Sequence, residues 1–136
     1  MASEPGLTTA NVATVMGFVE NYVGGNKEKA MEFIHPDMVA DEANSLPYGG
    51  EWRGKDGFLG LMNKIDGIVS HDATPEALHD VGTAVVAVIL AKFTSVATGA
   101  TVDMRTVEIY GITDGLISSA DVFYKDTKAF LDELGL

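Results

Sequence analysis

The sequence predicts one α+β domain built on a curved antiparallel sheet. Three observations predict it. Helical apolar spacing dominates the first half of the chain and strand-like runs dominate the second. Two turn signals, Thr98-Gly99 and Asp114-Gly115, separate three long strand candidates into a meander. Helices and strands are therefore segregated along the chain, as in α+β domains. The 136 residues are one ordinary domain, and a hydrophobic content of 46% supports a real core.

Residues 8–23 read as a helix, because Val12, Val15, Met16, Val19, Tyr22 and Val23 form one apolar stripe. Thr8 or Thr9 caps its start and Gly24-Gly25 ends it. Asn26 caps a short second helix with Ala30, Phe33 and Ile34 inward, stopped by Pro36. Met38 to Ala43 reads as a short strand and Asn44 to Gly54 as a loop. A third helix runs from about Asp56 to Asp66, with Phe58, Leu61, Met62 and Ile65 as its stripe and Gly67 as its stop. Ile68 to Asp80 is a strand interrupted near Pro75. Thr83 to Val96, Thr101 to Ile112 and Leu116 to Tyr124 complete the meander. Asp126 or Thr127 then caps a terminal helix carrying Ala129, Phe130 and Leu134.

Composition excludes several function classes. A net charge of −11, with no basic cluster, repels nucleic acids and anionic membrane surfaces. No apolar run reaches the length of a membrane span. Residues 1–7 lack the basic and apolar parts of a signal peptide and read as a flexible tail before a single domain, 8–136. Cysteine is absent, so disulfides and thiolate chemistry are excluded, and a cytoplasmic location is expected. No His/Asp/Glu set has metal spacing, and the glycines form no phosphate loop, so neither metal nor cofactor is predicted.

Thr83 to Val96 is apolar on both faces. Val85, Ala87, Ile89, Ala91 and Phe93 alternate with Val86, Val88 and Leu90. Helices of this chain cover one face. A second copy is expected to cover the other, giving a homodimer through the outer sheet face.

Four local motifs carry a resemblance. They are His35-Pro36-Asp37 followed by Val39; Leu46-Pro47-Tyr48-Gly49-Gly50 with Trp52-Arg53-Gly54; the run Val107 to Ile117 around Asp114-Gly115; and Asp121 to Phe130. In that order and spacing, from roughly Thr9 to Leu134, the chain resembles the nuclear transport factor 2-like superfamily, in its SnoaL-like and ketosteroid-isomerase-like branch. The resemblance implies a cone-shaped half-barrel packed on three helices, with a pocket between helices and sheet that takes a small apolar molecule. It also implies dimers through the outer sheet face. Activities in the branch include ketosteroid isomerisation, polyketide ring closure and epoxide opening, so the fold alone does not assign one.

The resemblance places a carboxylate base at Glu42, near the end of the first strand. Glu42 shares a face with Met38 and Ala40, while Asp41 shares the other with Val39 and Ala43, so periodicity leaves the two acids as alternatives. An apolar setting would raise the acid's pKa and make it a better base near neutral pH. The isomerase's two oxyanion donors match Phe18 and Val107 here, which argues against that particular activity. Asp103 and Arg105 share one face of the penultimate strand and are expected to face the pocket. The epoxide hydrolases' last-strand aspartate, however, matches Val122. Tyr48 and Trp52 are expected at the pocket mouth, and Tyr22, Phe58, Met62 and Tyr124 along its walls. His71 and His79 have proton-shuttle chemistry, but a lone histidine is usually structural or solvated. The expected function is cofactor-independent acid/base isomerisation or cyclisation of a polyketide-, terpenoid- or steroid-like molecule. The alternatives are a non-catalytic ligand-binding or dimerisation module and water addition to an epoxide.

Overall fold

The computed structural model describes residues 8–136, and the expected tail, residues 1–7, lies outside the described residues. Helix α1 (Ala10–Val23) and a one-turn helix α2 (Lys27–Ala30) lead through a 3-10 turn (Met31–Phe33) into strand β1 (Ile34–Glu42). A short strand β2 (Gly50–Arg53) precedes helix α3 (Gly54–Ile68). Four strands follow, β3 (Val69–Asp80), β4 (Ala84–Ser95), β5 (Thr101–Thr113) and β6 (Leu116–Tyr124), and helix α4 (Thr127–Leu134) ends the chain.

The helix starts are capped by side chains. Thr9 Oγ1 accepts from the Val12 amide at 3.2 Å, and Asp126 Oδ1 accepts from the Ala129 amide at 2.9 Å. Asn26 Oδ1 caps α2 by accepting from the Lys29 amide. The second helix is shorter than its apolar residues suggest. Ile34 already belongs to β1, and Pro36 sits inside that strand instead of stopping a helix. The ladder to β6 shifts between Ile34 and Val39, so the missing proline N–H falls where pairing is interrupted. The expected loop Asn44 to Gly54 holds β2, paired to β1 from Val39↔Arg53 to Glu42↔Gly50. Gly67 lies inside α3 rather than ending it.

The six strands form one sheet in the order β2-β1-β6-β5-β4-β3. The pair β1–β6 is parallel and the others are antiparallel, which corrects the expectation of a wholly antiparallel sheet. A parallel neighbour needs a long crossover, and everything from β2 to β5 supplies it. Register shifts at Pro75/Ala77 and Gly111/Ile112 bend the sheet into a curved, unclosed half-barrel. At the β5–β6 turn Asp114 and Gly115 both have positive φ, 54° and 74°, the conformation of a type I′ hairpin.

The concave face holds the core. Val85, Ala87, Ile89, Ala91 and Phe93 of β4 are all buried, whereas Val86 and Val88 on the other face are only half-buried and Leu90 is exposed. Val15, Phe18 and Val19 of α1 and Phe58, Leu61 and Met62 of α3 cover that concave face. Phe130 of α4 is fully buried, edge-on to Phe93 at 5.0 Å and to Tyr124 at 4.9 Å. Burying one such ring contributes about 2–3 kcal/mol.

Candidate active site

Between α1, α3 and the concave sheet face lies a small cavity that opens to solvent. Its origin is in side-chain size. Inward positions on the two strands to either side of β5 are alanines, Ala40 and Ala120 on β1 and β6, Ala91 and Ala73 on β4 and β3, which leave space that the helix residues do not fill. Six aromatic rings stand in the wall, from Phe18, Tyr22, Phe58, Phe93, Tyr110 and Tyr124.

Four other polar side chains face this cavity, Glu42, His71, Thr106 and Glu108. Thr106, Glu108 and Tyr110 are two residues apart on β5 and so share one face. They also bind one another. Thr106 Oγ1 donates to Glu108 Oε2 at 3.0 Å, and the Tyr110 hydroxyl donates to Glu108 Oε1. Glu108 pairs with Val122 of β6, and Asp41 with Asp121, so Glu42 and Glu108 flank Val122 from its two sides. Two strand spacings put their Cα atoms about 10 Å apart.

These two carboxyl groups line the same largely apolar cavity. Glu42 is only 6% exposed, and its Oε1 has no hydrogen-bond partner. Burial, then the negative charge of Glu108, then that of Asp41, push its pKa up to about 8. Burial also raises Glu108, against the pull of the Tyr110 and Thr106 hydroxyls and of His71, which favour its charged form. The phenols of Tyr22, Tyr110 and Tyr124 are raised mainly by burial and keep their protons. The site therefore offers a carboxyl group poised between its two states near neutral pH, a second acid held by hydroxyls, and phenolic donors.

Several expected residues are where the sequence places them. Glu42, not Asp41, faces the cavity, and Asp41 is exposed. Phe18, Tyr22, Phe58, Met62, Val122 and Tyr124 line the wall. Phe18 lacks a hydroxyl at its position, but Tyr22, one helical turn on, brings a phenol that reaches Asp66 Oδ1 at 3.4 Å.

Five residues are corrected. Arg105 and Asp103 lie on the outer, convex face. The Arg105 side chain is 61% exposed and makes a two-pronged ion pair with Glu76, Nε–Oε1 2.6 Å and Nη2–Oε2 3.2 Å. Asp103 is exposed opposite Lys92. Val107 is on that face too. One residue of register separates expectation from structure, and a one-residue slip turns every side chain of a strand over. Tyr48 is fully buried behind the cavity wall, its hydroxyl 2.6 Å from that of Tyr124. Trp52 donates its indole N–H to the Tyr48 carbonyl at 3.0 Å and so fastens the loop, rather than lining the mouth.

Thr106, Glu108 and Tyr110 are the site residues that sequence reasoning missed, and His71, which it named but read as structural or solvated, lines the cavity. The signal for the first three is the odd-numbered inward face of β4. Carried across the hairpin through Ala87↔Glu108 and Ile89↔Thr106, it selects the even-numbered face of β5. Among the described residues no group of three or more His, Asp or Glu is placed to hold a metal ion, and no helix is long and apolar enough to cross a membrane.

Comparison with known proteins fits this geometry. A nuclear transport factor 2-like protein of unknown function from Burkholderia pseudomallei superposes with a TM-score of 0.86 at 16% identity, covering 95% of this chain and 100% of that one. TerC, co-crystallised with polyporic acid, gives 0.86 at 18% identity, covering 94% and 100%. A candidate polyketide cyclase from Xanthomonas campestris gives 0.77 at 18% identity, covering 92% and 96%. Such identities show a shared fold. No curated protein matches the chain by sequence. The SnoaL-like domain family matches residues 15–120, most of the helices and sheet just described, and the chain belongs to that family.

Proposed function

We propose that the protein is a cofactor-independent acid/base isomerase or cyclase acting on a small, largely apolar, ring-bearing molecule of polyketide, terpenoid or steroid type. The observation that carries this reading is Glu42, a buried carboxyl in the lining of an aromatic cavity, with one oxygen lacking a hydrogen-bond partner and a pKa pushed up to about 8. A desolvated carboxylate is a stronger base than a solvated one, and a proton on carbon is the kind such a base removes. Glu42 takes the proton, and Glu108 when protonated stabilises the charge that develops on a substrate oxygen. Family neighbours that include a candidate polyketide cyclase and a protein co-crystallised with polyporic acid support the ligand class.

The test uses a probe that needs only a base in an apolar pocket. In nitrobenzisoxazole, loss of the ring C–H proton to Glu42 breaks the N–O bond and releases a coloured cyanophenolate. Wild-type protein is expected to accelerate this ring opening, and Glu42→Gln to lose at least about 100-fold of that acceleration. Full activity in Glu42→Gln would overturn the assignment.

A second acid in the cavity also suits water addition to an epoxide, with one carboxylate activating water and the other protonating the ring oxygen. Asp103 and Arg105 take no part in either reading, because both lie outside the cavity.

We further propose a homodimer through the convex face. Phe123 and Leu90 are large apolar residues 49% and 45% exposed there, with Val107 and Val88 in the row between strands β6 and β4. Sedimentation at micromolar concentration is expected to show a dimer that Phe123→Lys dissociates. A wild-type monomer would refute it.

A further inference from the structure

Two polar atoms in the cavity wall are buried and lack a partner. They are Glu42 Oε1 and His71 Nδ1, and among the described residues no other buried side-chain polar atom is left unpaired. Both residues line the same cavity, yet they come from distant strands, since β1 and β3 are separated by β6, β5 and β4. The two residues thus enter the cavity lining from opposite sides of the β6-β5-β4 stretch of the sheet. Buried polar groups are nearly always satisfied, so a pair left open in one cavity marks where a ligand's polar atoms belong. Glu108 differs from these two, because each of its oxygens already accepts a hydrogen bond, from the Thr106 and Tyr110 hydroxyls. No Lys or Arg lines the cavity, so an anionic ligand would meet two acids and no fixed cation.

We propose that the cavity selects an uncharged ring compound bearing two oxygens on different edges, a hydroxyl or enol that donates to Glu42 and a second oxygen hydrogen-bonded by His71. His71 is then the residue that determines specificity. It supplies the polar contact that Phe18 cannot make from the first helix. The ring of His71 stands 5.3 Å from Tyr22 and 6.1 Å from Phe93, which fixes its direction by packing. This inference rests on the ring-binding reading of the cavity given above and adds the polarity and the spacing of what binds.

Calorimetric titration with a set of naphthalene derivatives tests it. β-Naphthol carries one hydroxyl, the dihydroxynaphthalene isomers carry two at different spacings, and β-naphthoate carries a charge. At least one dihydroxy isomer is expected to bind wild-type protein about 5–10-fold more tightly than β-naphthol, the gain of a second hydrogen bond to an otherwise unpaired buried group. β-Naphthoate is expected to bind more weakly than β-naphthol. His71→Phe keeps the packed ring and should erase the gain from the second hydroxyl. His71→Asn, which returns a hydrogen-bonding group near the Nδ1 position, should restore part of it. Melting curves establish that both variants are folded. If no isomer outbinds β-naphthol, or if His71→Phe binds the preferred isomer as tightly as wild type, the inference is overturned while the ring-binding reading stands. If β-naphthol itself does not bind wild-type protein, the ring-binding reading fails and this inference with it.

Discussion

The two faces of β5 are built from neighbouring residues and behave as two different materials. Thr106, Glu108 and Tyr110 point into the cavity and bind one another, so an acid is held in place by hydroxyl donors away from water. Asp103, Arg105 and Val107 point outward, and there the polar groups meet solvent, as the exposed Arg105–Glu76 pair does. On the inside a carboxyl group is shifted by burial and by a like charge. On the outside the ion pair and water keep groups charged. The chemistry of this protein therefore follows from which parity of residue faces inward, and not from which charged residues it has.

Truncating one ring on each face gives the largest expected contrast. Phe93→Ala removes an inner ring that is 5% exposed and packed on His71, Tyr124 and Phe130, and is expected to cost about 3–5 kcal/mol in urea unfolding. Phe123→Ala removes an outer ring that is 49% exposed. In a monomer it should cost under about 1 kcal/mol, and any larger, concentration-dependent loss reports the dimer.

Electrostatics gives the next contrast. Glu42 has its pKa raised in the folded protein to about 8 from an ordinary value of 4.5. Below the ordinary value both folded and unfolded chains hold the proton, and the protein has its full stability. As pH rises the unfolded chain releases the proton first, so stability falls until the folded carboxyl also ionises near 8. The loss from this one group is on the order of 3–5 kcal/mol. Glu42→Gln does not titrate, so its melting temperature should match wild type near pH 4 and exceed it near pH 9. Parallel melting curves across that range would exclude the raised pKa. If Glu42 is the base, the ring-opening rate should climb through pH 8, where its carboxylate form accumulates, and not through the ordinary carboxylate range.

The fold was more legible in the sequence than the site, for a physical reason. Helix stripes such as Val12, Val15 and Val19, and the Asp114-Gly115 turn, are local signals that survive without tertiary information. Glu42 was half legible: the resemblance pointed to it, alternation left Asp41 as an equal alternative, and the burial of Met38 and Ala40 on the face of Glu42 decides between them. β5 was not. Val107 and Ile109 make its outer face look apolar, since that face is itself only half-buried, and the inner face carries Thr106 and Glu108. Alternation cannot select a face when both carry apolar and polar residues. The choice is made by pairing with β4, which depends on the turn between Ser95 and Ala100. The parallel β1–β6 pair is non-local in the same way, because nothing in either strand records the other's direction.

The smallest expected effect is also the sharpest test of that register. Arg105 and Asp103 look functional in the sequence, two charged residues on one face of a strand that walls the pocket. In the folded protein they lie in solvent, with Arg105 bound to Glu76 and Asp103 beside Lys92. An exposed ion pair gains little over its hydrated partners, because water and salt screen it and two long side chains lose freedom in forming it. Arg105→Ala and Asp103→Asn should therefore leave both the ring-opening rate and the melting temperature at wild-type values, whereas Glu108→Gln, three residues along the same strand and on the other face, should change the rate. A large loss of activity in Arg105→Ala with melting unchanged would mean that the outer face reaches the chemistry after all.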